Sequence, residues 1–344
     1  MAATTSLPET MKSLLQASRQ STLVILTTSP LPAPIHPADV LIRVHATAPC
    51  AGELRWAVDF PDAVPKDKEL VPCQDLAGTV ISSPSNSGFV LGDRVFCRIE
   101  AGRPGAARDY ALARVSELAH IPAGLGWIDA AATPLSALTA WQALFVQGSL
   151  DAAGINGDHQ ARERNAKLRV LVTGAAGGVG SWVVQLAALA GVRQVVAVCG
   201  GDKEDAVRQL GATEVVDYRK TSLAEWVGAD AAAREVDLVI DVVGGETLGG
   251  CWAAVRAGGV LVSINTPPDL VKPAGLEKEL AKSLFFIVEP LGSNLAQIGE
   301  LIEAGRARPT VDSVWDFADF EKAFARLESG HAKGKIIIKV SDEA

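Results

Sequence analysis

The stretch Gly174–Trp182, "GAAGGVGSW", follows the apolar run Arg169–Thr173 and precedes "VVQLAALAG" (Val183–Gly191). Glycines between a strand and a helix let backbone N–H groups reach a phosphate, because no Cβ holds the anion away. On the following helix Val183, Leu186, Ala187 and Ala190 fall at i, i+3, i+4 and i+7, one apolar stripe, and Gly191 is a natural stop. Gly177 permits close approach to a pyrophosphate, and Gly180 lets the helix pack on its strand. Ala175 holds the first glycine position of the dinucleotide pattern, so an ordinary tight turn is the competing reading.

The end of the second strand bears on which dinucleotide. An NAD site places Asp or Glu there for the ribose 2′-hydroxyl. Here the strand runs into "VVAVCGGDKED": Cys199, Gly200 and Gly201 hold the turn, and Lys203 just beyond offers charge to a 2′-phosphate. Asp202 reads as a helix N-cap, and Tyr218 after the third strand could pack on the adenosine. The balance favours NADPH. Lys203 taken alone also suits a solvated surface lysine.

The elements that must position this loop change along the chain. Over the first 120 or so residues, "TLVILTT", "DVLIRVHAT", "LAGTVIS", "GDRVFCR" and "YALARV" alternate with turns, which predicts an antiparallel barrel or sandwich. "WIDAAATPLSALTAWQALF" suits two short helices, and residues 147–167 read as a polar loop. From Arg169 strands and helices alternate, with near-continuous apolar strands that suit a parallel sheet covered on both faces. The tail returns to a mixed pattern ending in "KIIIKV", which suggests a nucleotide-binding domain inserted within the first.

A formal charge of −8 and no Lys/Arg cluster disfavour nucleic acid; "RERNAK" is the densest basic patch and reads as a loop. No apolar run approaches the ~20 residues of a membrane span. The N-terminus, Met1–Leu15, lacks a secretory pattern; its Ser/Thr content weakly resembles a transit peptide, but Glu9 and the absence of Arg before Arg19 favour a short disordered lead-in. Cys50, Cys73, Cys97, Cys199 and Cys251 are scattered and odd in number, which predicts free thiols and a cytoplasmic setting.

The sequence resembles the medium-chain dehydrogenase/reductase superfamily, in its zinc-free quinone oxidoreductase and enone (enoyl) reductase branch. The likeness runs over most of the chain, through "DVLIRVHAT", "DLAGTV", "LGDRVF", "AAATPLSALTAW", "VLVTGAAGGVGSWVVQLA", "LGATEVVDYRK", "DLVIDVVGGETL" and "FEKAFARLESGHAKGKIIIKV". It implies an α/β fold: a GroES-like β-barrel substrate domain over residues 1–133 and 291–344, with an inserted Rossmann domain at 134–290. It also implies cofactor contacts at Thr139, at Ala176, Gly177, Gly178 and Val179, and at Lys203 and Tyr218. Val243, Ile264 and Phe286 fall in segments that line the nicotinamide in relatives, and Lys335 in "GKIII" is a weaker match. Relatives pair through a sheet edge like "GGVLVSIN" and "SLFFIV", so the resemblance implies a homodimer.

Zinc-dependent relatives need three protein ligands. Cys50 occupies the first ligand position, but Gln74 stands where they have histidine, and the third cysteine is replaced at or near Leu135. A cluster of Cys50, Cys73 and Asp75 is the rival metal reading, with Gln74 and Asp75 alternatively a hydrogen-bonded pair. Without zinc, a hydride needs an acceptor that stabilises its own charge, such as an activated C=C bond (an enone) or a quinone. Cys50, Glu53 and Trp56 are the candidates for the substrate pocket: a weak S–H donor, an acid if its pKa is raised, and an indole N–H. Packing or a surface ion pair is the plainer account of each. Tyr110 and His45 read as structural. Three functions compete: an NADPH-dependent enone or quinone reductase, a non-catalytic NADPH-binding sensor, and a carbonyl or alcohol oxidoreductase with an unusual metal site.

Overall fold

The computed structural model describes residues 7–343 and divides into two compact units, Ser136–Glu289 and the chain on either side of it. Of the lead-in expected over Met1–Leu15, residues 1–6 lie outside the described residues. Thr10–Gln16 does not continue it: this segment is a strand paired antiparallel with Val24–Pro30, its Met11 and Leu14 buried. The polar residues between them hid the alternation that makes it a strand.

The outer unit is built on a seven-stranded sheet. Its path runs Val311–Asp316, Lys335–Lys339, Asp39–Ala48, Asp75–Ser82, Arg94–Arg98 and Ala119–His120, with Tyr110–Arg114 also paired to Asp39–Ala48. All pairings but the first are antiparallel. Val40, Ile42, Val44, Leu76, Val80, Val95, Cys97, Ile336 and Ile338 form its core, the inward set of a period-two pattern. Gly78 lies opposite Val44, where a Cβ would stand 2.3 Å from the Arg43 carbonyl oxygen.

The other unit carries a six-stranded, wholly parallel sheet in the order Glu214–Asp217, Gln194–Cys199, Arg169–Thr173, Val236–Asp241, Val255–Ser263, Lys282–Phe285. The order reverses between Arg169–Thr173 and Val236–Asp241, the topological switch point of a doubly wound sheet. Val170, Leu171, Val172, Val239 and Ile240 are wholly buried, as near-continuous apolar strands covered on both faces require. The stretch expected to be a polar loop holds the helix His159–Asn165, capped by Asp158 on the Ala161 N–H. Asn165 fastens it to the carbonyls of Asp151 and Ala190. Its helical signal is a cap and not an apolar stripe. Among the described residues no helix is long and apolar enough to cross a membrane.

Gly78→Ala presses a methyl group into the backbone of the neighbouring strand. Urea denaturation is expected to show a loss of about 1–3 kcal/mol with an unchanged slope.

Candidate functional site

In the parallel-sheet unit the candidate cofactor residues gather at the carboxyl ends of the strands. Arg169–Thr173 runs into Gly174, at φ +58°, and the turn leads to the helix Gly178–Leu189, whose N-cap Gly177 contributes no side chain. A Cβ on Gly180 would lie 2.2 Å from the Gly174 oxygen, so the helix sits this close to its strand only with glycine there. Ala176, Gly177, Gly178 and Val179 form the turn and the opening of that helix; the Gly177 N–H donates to the Gly174 carbonyl at 2.9 Å, while the N–H groups of the helix's first turn and its dipole favour an anion. Val243, Ile264 and Phe286 each follow the end of a neighbouring strand, Val243 being exposed. Lys203 and Tyr218 stand beyond the ends of Gln194–Cys199 and Glu214–Asp217. Thr139 is buried on the helix Pro134–Trp141. This cradle fits a dinucleotide: a glycine turn without side chains at the switch point, with polar groups at the strand ends on either side.

Two residues here were not singled out from sequence. Asp241 is fully buried, and its carboxylate accepts from Thr173 Oγ1 (2.7 Å), the Gly244 N–H (2.9 Å) and Ser263 Oγ (3.0 Å). It ties three strand ends around the turn. Arg219 ion-pairs with Asp202 and lies 3.6 Å from Asp217, with its guanidinium over the Tyr218 ring. The cap positions of the two short helices fall on Gly200 and Lys203, so Asp202 serves as a partner for Arg219 and not as the expected N-cap. The signal for Arg219 was its place in "DYRK", next to the tyrosine already noted.

The outer unit brings Cys50, Glu53 and Lys335 together with Cys73 and Asp75. Lys335, on the last strand, is buried; its Nζ lies 2.9 Å from Asp75 Oδ2 and donates to the Pro49 carbonyl at 3.1 Å. The other Asp75 oxygen accepts from the Leu135 N–H at 2.6 Å. Burial raises the Asp75 carboxyl, with Lys335 pulling the other way. Burial works against the Lys335 charge too, yet Asp75, Cys50 and Glu53 together hold its pKa above the ordinary lysine value. Gln74 is not paired with Asp75: its amide faces the Ile99 and Glu100 carbonyls. Cys73 is held in the left-handed region at φ +68°, where its N–H donates to Glu53 Oε2 at 3.1 Å. Cys50, partly buried, has its thiol pushed up to about 12 by burial. Trp56 opens a short helix beside Glu53 and is partly buried. All five cysteines are free.

His45 is a satisfied barrel residue, between Ser341 Oγ (2.7 Å) and Thr79 Oγ1 (2.9 Å) and stacked on Trp127.

Residues 36–123 match the family model of the alcohol dehydrogenase GroES-like domain, and residues 210–338 that of the zinc-binding dehydrogenases. The chain is 46% identical over 343 residues to a probable mitochondrial zinc-binding oxidoreductase of Arthroderma benhamiae, covering 99% of this chain and 100% of that protein. It is 26% identical to a mitochondrial NAD(P)H oxidoreductase of Danio rerio (91% of this chain, 86% of the relative). It is 29% identical to a chloroplast envelope quinone oxidoreductase homolog of Arabidopsis thaliana (90% and 92%). These relatives overturn the cytoplasmic location expected from the cysteines, since two are mitochondrial and one belongs to the chloroplast envelope. Free thiols do not specify the compartment.

Asp75→Asn leaves a buried ammonium without its counter-charge and is expected to lower stability by about 3–5 kcal/mol in chemical denaturation. Adding Lys335→Met should recover much of that loss, and a double-mutant cycle measures the coupling.

Proposed function

Because the chain belongs to the medium-chain dehydrogenase/reductase superfamily, in its quinone oxidoreductase branch, we propose that it reduces an activated C=C bond or a quinone with NADPH, without zinc. It is an oxidoreductase using a nicotinamide cofactor, and NADPH when bound supplies the hydride.

The glycine turn Gly174–Gly177 and the N-terminus of Gly178–Leu189 would hold the pyrophosphate. Lys203 and Arg219 would take the 2′-phosphate, with Tyr218 beside the adenosine. NADPH is favoured over NADH because the turn after Gln194–Cys199 offers Gly200 and Gly201 where a ribose-binding acid would stand. Asp202 and Asp217 hold Arg219 in place, and a phosphate would compete with them for it.

The observation that carries the zinc-free reading is the ion pair of Lys335 with Asp75. The carboxylate that a metal would need is already neutralised by a buried ammonium, and the neighbouring Gln74 is no metal ligand. An alkene conjugated to a carbonyl, or a quinone, accepts hydride without a Lewis acid, because the charge moves onto its own oxygen. Val243, Ile264 and Phe286 offer apolar surface at the strand ends, suited to a nicotinamide ring.

The test is NADPH oxidation with a simple enone and a quinone, against the saturated ketone, with and without a chelator. Turnover of the enone or quinone alone, unaffected by the chelator, is the expected result. Turnover of the saturated ketone that a chelator abolishes would replace this reading with metal-assisted carbonyl reduction. Lys203→Ala and Arg219→Ala should each raise the KM for NADPH about tenfold and leave that for NADH unchanged.

A further inference from the structure

Phe286 lies just beyond the strand Lys282–Phe285, at the edge of the parallel sheet. Its N–H donates to the Ser263 carbonyl at 3.2 Å, which ties it to the neighbouring strand. What holds the chain after it comes from a helix. Pro134–Trp141, which carries Thr139, runs on into a π-helical turn, Gln142–Gln147. Such turns are rare and are frequent at functional sites. Both ends of this one reach the segment that carries Phe286. At its start Gln142 is buried, and its side-chain amide donates to the Glu289 carbonyl and accepts from the Glu289 N–H, each at 2.9 Å. At its end Gln147 receives the Lys282 ammonium, on its carbonyl at 2.8 Å and on Oε1 at 3.1 Å. Gly148 closes the turn where a Cβ would stand 2.6 Å from the Ala143 carbonyl oxygen.

A glutamine side chain carries the same donor and acceptor as a peptide unit. Exchanging both bonds with one residue is what a hydrogen-bonded pair does in an antiparallel ladder. Gln142 thus supplies a rung of sheet from a helix, and Phe286 lies between two fixed points, Ser263 and Glu289.

We propose that Gln142, with the π turn it opens, is a positioning residue for the nicotinamide, holding residues 286–289 so that Phe286 meets the ring. The proposal rests on the reductase reading given above, in which Val243, Ile264 and Phe286 form the apolar wall. The first two are hung on Asp241: the Val243 N–H donates to its Oδ1 at 3.3 Å and the Ile264 N–H to its carbonyl at 3.1 Å. Phe286 takes its place from Ser263 and Gln142. One continuous helical segment therefore places both Thr139 and Phe286, which are expected on the same cofactor. Hydride transfer is sensitive to such placement, since a shift of about 1 Å costs on the order of 100-fold. The adenosine end stands apart from this control, because Lys203, Tyr218 and Arg219 follow the ends of other strands.

The test compares wild type, Gln142→Leu and Lys282→Met. Gln142→Leu keeps apolar bulk and removes both bonds to Glu289, while Lys282→Met frees the other end of the segment from an exposed position. Affinities are measured for NADPH and for 2′,5′-ADP, which carries the adenosine and its 2′-phosphate without a nicotinamide. Turnover of an enone is followed with NADPH deuterated at the transferring position, and the emission of bound NADPH reports the surroundings of its ring. Gln142→Leu should bind 2′,5′-ADP as the wild type does and NADPH about tenfold more weakly, the effect of two lost neutral hydrogen bonds. Its kcat should fall on the order of tenfold with a larger isotope effect, and its bound NADPH should emit more like the free cofactor. Lys282→Met should change in the same direction by a smaller factor, and it carries the test if Gln142→Leu does not fold. Equal weakening of NADPH and 2′,5′-ADP, or an unchanged NADPH affinity and isotope effect, overturns the positioning role. Wild type that binds NADPH and turns over neither enone nor quinone overturns the reductase reading instead, while the two affinities still decide the role of Gln142.

Discussion

A carboxylate placed where water cannot reach it must find charge and hydrogen bonds inside the protein, and Asp75 sets that requirement for the outer unit. One of its oxygens takes the Leu135 N–H, where the first run of chain leaves this unit. The other takes the ammonium of Lys335, on the strand added after the chain returns. Lys335 in turn holds the Pro49 carbonyl, which fixes the segment carrying Cys50 and, beyond it, Glu53. A buried ion pair of this kind is weak evidence of net stability, because desolvation offsets most of the attraction. Its effect is to tie the strand Lys335–Lys339 to the segments carrying Asp75 and Pro49.

The parallel-sheet unit solves the same problem with neutral donors. Asp241 is as deeply buried as Asp75, yet two hydroxyls and two backbone N–H groups surround it, the last from Val243 at 3.3 Å. Because Thr173, Gly244 and Ser263 sit at the ends of different segments, one side chain sets the shape of the strand-end surface from which the glycine turn rises. The two carboxylates thus play comparable organising roles, one by charge and one by geometry.

What could be read from the sequence was what is local. The glycine turn, the apolar stripe of its helix and the strand–helix alternation are patterns within a dozen or so residues, and the parallel sheet follows from them. The strand Val311–Asp316 was not foreseen, since it is an edge strand whose residues are partly exposed and show no clean alternation. Thr10–Gln16 was mistaken for a lead-in for a similar reason. The partnership of Asp75 with Lys335 left no local trace. Glu53 was picked out by its position, but its bond from the Cys73 N–H is made where Gly52 and Cys73 turn the chain in the left-handed region. The left-handed Cys73 could not have been anticipated, because such backbone is uncommon for a residue with a Cβ.

The span of chain between the Lys335 ammonium and the Pro49 oxygen, 286 residues, also sets an order of events during synthesis. The strand Asp39–Ala48 leaves the ribosome with Ala46 and Thr47 awaiting Ile338 and Lys339, which follow only after the whole inserted unit. The inserted unit is complete in sequence well before that and can fold while the older strands wait. Until then the nascent protein carries an incompletely paired strand end and a carboxylate without its cation. A chain stopped before Lys335 would leave both unsatisfied.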